Sequence, residues 1–196
     1  MKRVIGLSGV AGCGKDTAFS LLSSLNPNVR RFALADALKR EIYPFVKELY
    51  SIDIFKCTRE DKNLVRNILV EHGHIRRQRT NGTYWTSILT KEINDFLNIS
   101  ANNIAVVTDV RYCEYEQDEL FWIKNVLGGG LIHISMVMED GTISPPANAK
   151  ESFNDPIIKA NADLVIEWGK VKYLSDIQTS LLPYANKIQD FINSQD

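Results

Sequence analysis

"SGVAGCGKDT", residues 8–17, decides how this chain is read. Gly9, four intervening residues, Gly14 and Lys15 fit the pattern of a phosphate-binding loop. In such a loop glycines let backbone N–H groups converge on anionic oxygens, and the helix that follows adds positive potential. The pattern requires a Ser or Thr next, as a magnesium ligand, yet this chain has Asp16, with Thr17 one place late. One helical step turns a side chain by about 100°, so Thr17 is no simple substitute. A helix dipole favours a carboxylate at that position in any case. Beside phosphates, however, a carboxylate must be offset by cations, so Asp16 is expected to hold Mg2+, directly or through water.

The loop lies between a strand-like run, residues 3–7, and a helix from about Lys15 that can bury Phe19, Leu21, Leu22 and Leu25. Short β-branched runs then alternate with helical patterns, as in an α/β fold with a largely parallel sheet. Further strands are expected over 31–35, 104–109, 131–138 and 164–167, with a helix opening at Asp36. Thr58 and Asp61 read as a capping box, followed by Leu64, Val65, Ile68 and Leu69 at helical spacing, and Gly73 reads as the stop. A polar stretch, 74–83, leads into a helix that carries Trp85, Ile88, Leu89, Ile93, Phe96 and Leu97 on one face. A helix is expected over 116–127, a loop over 139–155, and a final helix over 173–193. The expectation is a three-layer α/β/α fold in one domain, 1–196, with a helical acceptor-binding or lid region at about 40–100.

The 23 Lys and Arg against 24 Asp and Glu give a formal charge of -1, which argues against a protein built to neutralise duplex DNA. No apolar run approaches the roughly 18 residues a membrane span requires. The stretch from Met1 enters a strand-like run directly, and no secretory signal is expected. Cys13, Cys57 and Cys113 are too widely spaced for a disulfide framework or a metal cluster. A cytoplasmic protein is expected. His72, His74 and His133 show no catalytic spacing.

Cations that suit phosphoryl oxygens are concentrated in "HGHIRRQR", residues 72–79, with Arg76, Arg77 and Arg79. A solvated basic loop is the plain alternative, and RNA contact a weaker one. Asp109 ends the third apolar run, where a second magnesium-side carboxylate or a helix cap would stand. Arg111, two residues on, is placed to meet a substrate at the carboxyl edge of the sheet. Arg66 is expected to share a pocket with Arg76, ten residues away across a turn at Gly73. Tyr84 and Trp85 are candidates to stack on a base, with Trp85 equally suited to the core.

Four stretches together resemble one family: "GVAGCGKDT" (9–17), "FALADALK" (32–39), "RNILVEHGHIRRQRTNGTYW" (66–85) and "VVTDVRY" (106–112), with "NADLVIEWG" (161–169) a weaker fifth. They are similar to the deoxynucleoside monophosphate kinases of tailed bacteriophages, a branch of the P-loop kinases. The resemblance covers residues 1 to about 115. It implies that Asp16 belongs to a working variant of the loop, and that ATP with Mg2+ phosphorylates deoxynucleoside 5′-monophosphates. Ala11, Gly12, Cys13, Gly14, Lys15, Asp16 and Thr17 would hold the ATP phosphates, and Asp16 and Asp109 the metal. Lys15, Asp16, Arg76 and Arg111 would serve the transfer. Asp36, Lys39, Arg66, Arg76, Trp85 and Arg111 would form the acceptor side. The partners implied are small-molecule nucleotides, not nucleic acid or membrane, for a monomer or homodimer in the cytoplasm of an infected bacterium. One departure stands out: relatives often show Ser then Glu ahead of the closing strand, and this chain has Glu151-Ser152.

Two other functions fit the loop. A kinase acting on a hydroxyl, as dephospho-coenzyme A kinase or a phosphomevalonate kinase does, would use Asp36 as general base. A nucleotide-dependent switch would need no acceptor at all. The guanine-reading Asn-Lys-x-Asp is absent, since Asn186-Lys187 is followed by Ile188-Gln189. A phosphate monoester, with a second pKa near 6, is largely its own nucleophile at neutral pH. Such a transfer needs alignment and charge neutralisation more than a base.

Overall fold

The computed structural model describes residues 3–171 and 174–194. Five parallel strands, β1 (Val4–Ser8), β2 (Val29–Phe32), β3 (Ile104–Val110), β4 (Gly130–Val137) and β5 (Leu164–Gly169), lie in the order β2-β3-β1-β4-β5. The strand period of two divides their apolar residues between the faces. Ile5, Leu7, Ile104, Val106, Ile132 and Ile134 pack on one side against α1 (Lys15–Leu25) and α7 (Leu174–Asn193). Val4, Ala105, Val107 and Leu131 pack on the other. There they meet α2 (Leu34–Tyr50), α4 (Thr83–Ile99) and α5 (Glu119–Phe121), the last continuing as a π-helical turn, Trp122–Val126. The result is the expected three-layer α/β/α fold with a parallel central sheet. The final helix was expected from Tyr173, which lies outside the described residues.

The strand order reverses at β1 and β3, which leaves a crevice beyond their carboxyl ends. The loop 9–14 and the segment 111–118 border it. Arg77 pins the second of these. Its guanidinium, buried at 5% side-chain exposure, donates to both carboxylate oxygens of Asp118 and, at 3.3 Å, to Glu114, and lies 3.8 Å from the Tyr112 ring centroid. Arg77 is therefore a structural cation and not a loose member of a basic cluster.

Three expectations are corrected. Gly73 does not end a helix: α3 (Arg59–Arg79) runs through it, capped at its start by Thr58, whose hydroxyl accepts from the Asp61 N–H at 3.1 Å. A Cβ at Gly73 would stand 2.6 Å from Leu38 Cδ1, so the glycine serves the close approach of α2. Helix α2 begins at Leu34, two residues earlier than expected, because Asp109 caps it from another strand. The stretch 139–155, read as a loop, contains most of α6 (Ala149–Ala160), capped by the Asn148 side chain, which accepts from Glu151 N at 3.0 Å. Its buried residues are Glu151, Asn154 and Ile158, too polar a set for an apolar stripe, and Pro156 lies inside it. Among the described residues no helix is long and apolar enough to cross a membrane.

Candidate active site

The loop after β1 is shaped around two glycines that no other residue could replace. Gly9 has φ 127° and passes so near β4 that a Cβ would sit 2.2 Å from the Ile134 carbonyl oxygen. Gly14 has φ 100°, and a Cβ there would sit 2.7 Å from the Trp168 ring. Trp168 in turn donates its indole N–H to the Cys13 carbonyl at 2.8 Å, which fastens the loop to β5. Lys15 folds back into the loop it follows. Its ammonium donates to the carbonyls of Gly9 at 2.6 Å and Val10 at 2.9 Å and lies 3.6 Å from Cys13 Sγ. Burial lowers the Lys15 pKa from the ordinary lysine value. No side chain caps α1, so the N–H groups of its first turn, at Lys15, Asp16 and Thr17, have no intrahelical acceptor.

Four carboxylates surround the loop in different states. Asp16 is exposed, and among the described residues its one ion pair is long, 3.5 Å to Arg31 Nε. Asp36 accepts from Arg31 at 2.6 Å and from Lys39 at 3.2 Å. Burial would raise its pKa, but the hydrogen bond and charge of Arg31, with help from Lys39, hold it below the ordinary carboxylate value. Asp109 accepts from the Leu34 N–H at 2.9 Å and the Ala35 N–H at 2.8 Å, one per oxygen. Burial pushes its pKa up against those two donors. Glu151, buried at 5% exposure, accepts from Ala11 N at 3.2 Å, Ala147 N at 2.9 Å and Arg111 at 3.2 Å.

The expected magnesium carboxylates thus differ. Asp16 has acceptor capacity to spare, whereas Asp109 has committed one site on each oxygen to the start of α2. Among the described residues no three His, Cys, Asp or Glu side chains are grouped as a metal site. A magnesium ion held by one or two carboxylates and substrate phosphates needs no such group.

The structure brings some of the acceptor-side candidates together and separates others. Asp36 and Lys39 are joined, and Arg111 lies across the crevice on Glu151. Arg76 is instead bound to Glu41, through Nε at 2.9 Å and a terminal nitrogen at 2.6 Å, and stacks 4.5 Å from the Tyr84 ring centroid. Tyr84 and His72 also bond to Glu41, at 2.6 Å and 2.9 Å. Trp85 is a core residue, 4% exposed, whose indole donates to the Gly73 carbonyl at 3.3 Å, so it does not stack on a base. Arg66 is exposed on α3. With no turn at Gly73, ten residues of continuous helix put its backbone about 15 Å from that of Arg76, and the shared pocket does not form. Sequence reasoning missed Glu151 and Arg31. The Glu-Ser at 151–152 was the one available signal for the first, and nothing local marked the second.

Behind Trp168, a cavity of about 320 Å³ is lined by Gly169, Lys170, Val171, Asp176, Ser180, Leu181 and Tyr184. The Trp168 and Tyr184 rings meet edge-on at 5.9 Å, so this cavity borders the residues that hold the loop.

No family model and no curated protein matches the chain. Among solved structures it is similar to a dephospho-CoA kinase from Campylobacter jejuni, at 13% identity over 97% of this chain and 99% of that one, with a TM-score of 0.49. It is similar also to a shikimate kinase from Acinetobacter baumannii in complex with shikimate, at 13% identity over 99% and 94%, TM-score 0.46. A shikimate kinase from Bacteroides thetaiotaomicron follows at 13% identity over 98% and 99%, TM-score 0.44. Likeness at this level says nothing of substrate.

Asp109 and Asp16 should separate in unfolding experiments. Asp109→Ala leaves two α2 N–H groups without their acceptor and should cost about 1–2 kcal/mol in urea denaturation. Asp16→Asn, on the exposed side of the loop, should leave the midpoint unchanged. An Asp109→Ala protein as stable as the parent would contradict the capping role.

Proposed function

We propose that this chain transfers the γ-phosphoryl group of ATP to deoxynucleoside 5′-monophosphates, forming ADP and deoxynucleoside diphosphates. The loop geometry supports the donor half of this reading. Glycine-shaped backbone, uncapped α1 N–H groups and a lysine held at the loop make an anion-binding cradle of the phosphate-loop kind. Asp36 is the observation that carries the acceptor class. A carboxylate tied to Arg31 and Lys39, with its pKa held down, is a weak base. An alcohol acceptor needs a proton removed, whereas a phosphate monoester arrives largely deprotonated at neutral pH. The preference for deoxyribose rests on the resemblance of residues 9–17, 32–39, 66–85 and 106–112.

The chemistry follows from charge and alignment. A phosphate oxygen of the acceptor forms a bond to the γ-phosphorus as the bond to the ADP oxygen breaks, and no proton need move when the acceptor is a dianion. Lys15 and the α1 N–H groups draw off charge on the donor side. Arg111, with Lys39 and Arg31 beside Asp36, supplies cations on the acceptor side. Mg2+ would neutralise β- and γ-phosphoryl oxygens, and Asp16 is the carboxylate free to hold it or its water shell.

Incubation with ATP, Mg2+ and each deoxynucleoside monophosphate, alongside the ribose forms and the hydroxyl acceptors dephospho-coenzyme A and shikimate, tests this directly. Diphosphate formation from one or more deoxy acceptors, faster than from their ribose forms, is expected. ADP formation that no monophosphate stimulates, or transfer to a hydroxyl acceptor instead, would contradict it. Asp16→Asn should raise the Mg2+ concentration for half-maximal turnover about tenfold, the scale of a lost ligand or outer-sphere contact. An unchanged requirement would remove Asp16 from the metal.

A further inference from the structure

The contact between α6 and the phosphate loop has a consequence for how a nucleotide enters. Glu151 lies in the first turn of α6, and its Oε2 accepts from the N–H of Ala11, the third residue of the loop. Its Oε1 accepts from Arg111 at 3.2 Å. A carboxylate offers to an N–H and a guanidinium the same kind of anionic oxygen edge that a phosphoryl group offers. Two such anions cannot share these donors at hydrogen-bond distance without like-charge repulsion.

We infer that Glu151 is an internal competitor for the terminal phosphoryl group of a nucleoside triphosphate, and that donor binding releases the first turn of α6. The inference rests on reading the loop as an ATP site. It deepens that reading by giving the loop an acidic side chain of its own as a competitor for the Ala11 N–H. The same turn also reaches helix α3, where Lys150 Nζ meets His74 Nδ1 at 3.1 Å. One turn of helix therefore bridges the donor loop and α3.

The rest of α6 is anchored separately. Asp155 bonds to His133 on β4 at 3.0 Å, and Asn154 accepts from Cys113 N at 2.8 Å. Lys159 reaches Glu167 on β5 at 2.9 Å, and Ile158 is buried in the core. The first turn has no apolar residue buried in the core: it is held by the Asn148 cap, by the Asn154 amide on the Lys150 carbonyl at 2.8 Å and by Glu151, whose bonds to Ala11 and Arg111 are the ones an arriving anion can replace. Such a segment opens at low cost while its anchored half stays in place. Apparent triphosphate affinity is then the intrinsic affinity reduced by the fraction of chains in which Glu151 has let go. Departure of the carboxylate also releases Arg111 from its ion pair and leaves that guanidinium available to phosphoryl oxygens.

The experiment is calorimetric titration of the full chain with a non-hydrolysable ATP analogue and Mg2+, comparing the parent with Glu151→Gln. The amide keeps the shape of the side chain and removes its charge, so the variant should bind about tenfold more tightly, the scale of one charge-assisted hydrogen bond. Equal or weaker binding would overturn the inference. Should the variant not fold, hydrogen exchange on the parent decides: amides of residues 149–153 should exchange faster with the analogue bound, and slower or unchanged exchange would overturn it. The failures are distinguishable. A parent that does not bind the analogue loses the donor reading and this inference together. A parent that binds it no less tightly than Glu151→Gln loses only the inference. Tighter binding by Glu151→Gln in a protein that phosphorylates no monophosphate would keep the inference and discard the proposed acceptor.

Discussion

A lysine ammonium held inside a loop of its own backbone is the constraint around which the rest of this site is arranged. Lys15 is 6% exposed and finds its oxygen acceptors in the carbonyls of Gly9 and Val10. For those carbonyls to face inward, the chain must turn through positive φ at Gly9, Gly12 and Gly14. Such a turn is open to glycine and strained for most other residues. The turn is held by packing on two neighbouring strands: Gly9 against the Ile134 carbonyl of β4, Gly14 against Trp168 of β5. The strand order that sets β4 and then β5 beside β1 therefore does more than bury isoleucines. It sets the walls that keep the loop closed around its lysine.

Setting a buried lysine and partly exposed arginines beside uncapped helix N–H groups concentrates positive potential, and nearby carboxylates balance it. Asp36 takes Arg31 and Lys39, Asp109 takes the start of α2, and Glu151 takes Ala11 and Arg111. Each pairing fixes one wall of the crevice and holds a donor in place. A phosphate-bearing ligand entering such a site meets cations that are already oriented, which lowers the reorganisation that charge transfer would otherwise require. Asp16 stands apart, exposed and loosely tied.

Legibility in the sequence followed the range of the interactions. The loop was readable because its chemistry is contiguous: strand, glycines, lysine and helix lie within about twenty residues. The parallel sheet was readable because strands buried on both faces give unbroken apolar runs such as Ile104 to Val107. Gly73 misled because a glycine that lets two helices approach and a glycine that ends a helix look alike until Leu38 is seen against it. Helix α6 was hidden because two of its three buried positions are Glu151 and Asn154, which meet polar partners on distant segments, and because a proline, Pro156, lies inside it. Asp109 was legible as a possible helix cap, but not which helix it caps, because the start of α2 lies about 75 positions away. Trp85 was ambiguous in sequence for a physical reason: a large indole with one N–H suits both a base-stacking wall and a core that offers one carbonyl. The Gly73 carbonyl decides for the core.

The central claim, that the acceptor brings its own nucleophilic oxygen and Asp36 only positions it, is most directly tested by the pH dependence of kcat/KM for a deoxynucleoside monophosphate. In the parent protein the rate should fall below about pH 6, as the acceptor's second phosphate proton returns. Asp36→Asn should lower the plateau by about tenfold, the scale of a displaced substrate contact, and leave that limb where it was. Loss of the limb in Asp36→Asn, with turnover nearly abolished across the range, would make Asp36 the general base and contradict the account.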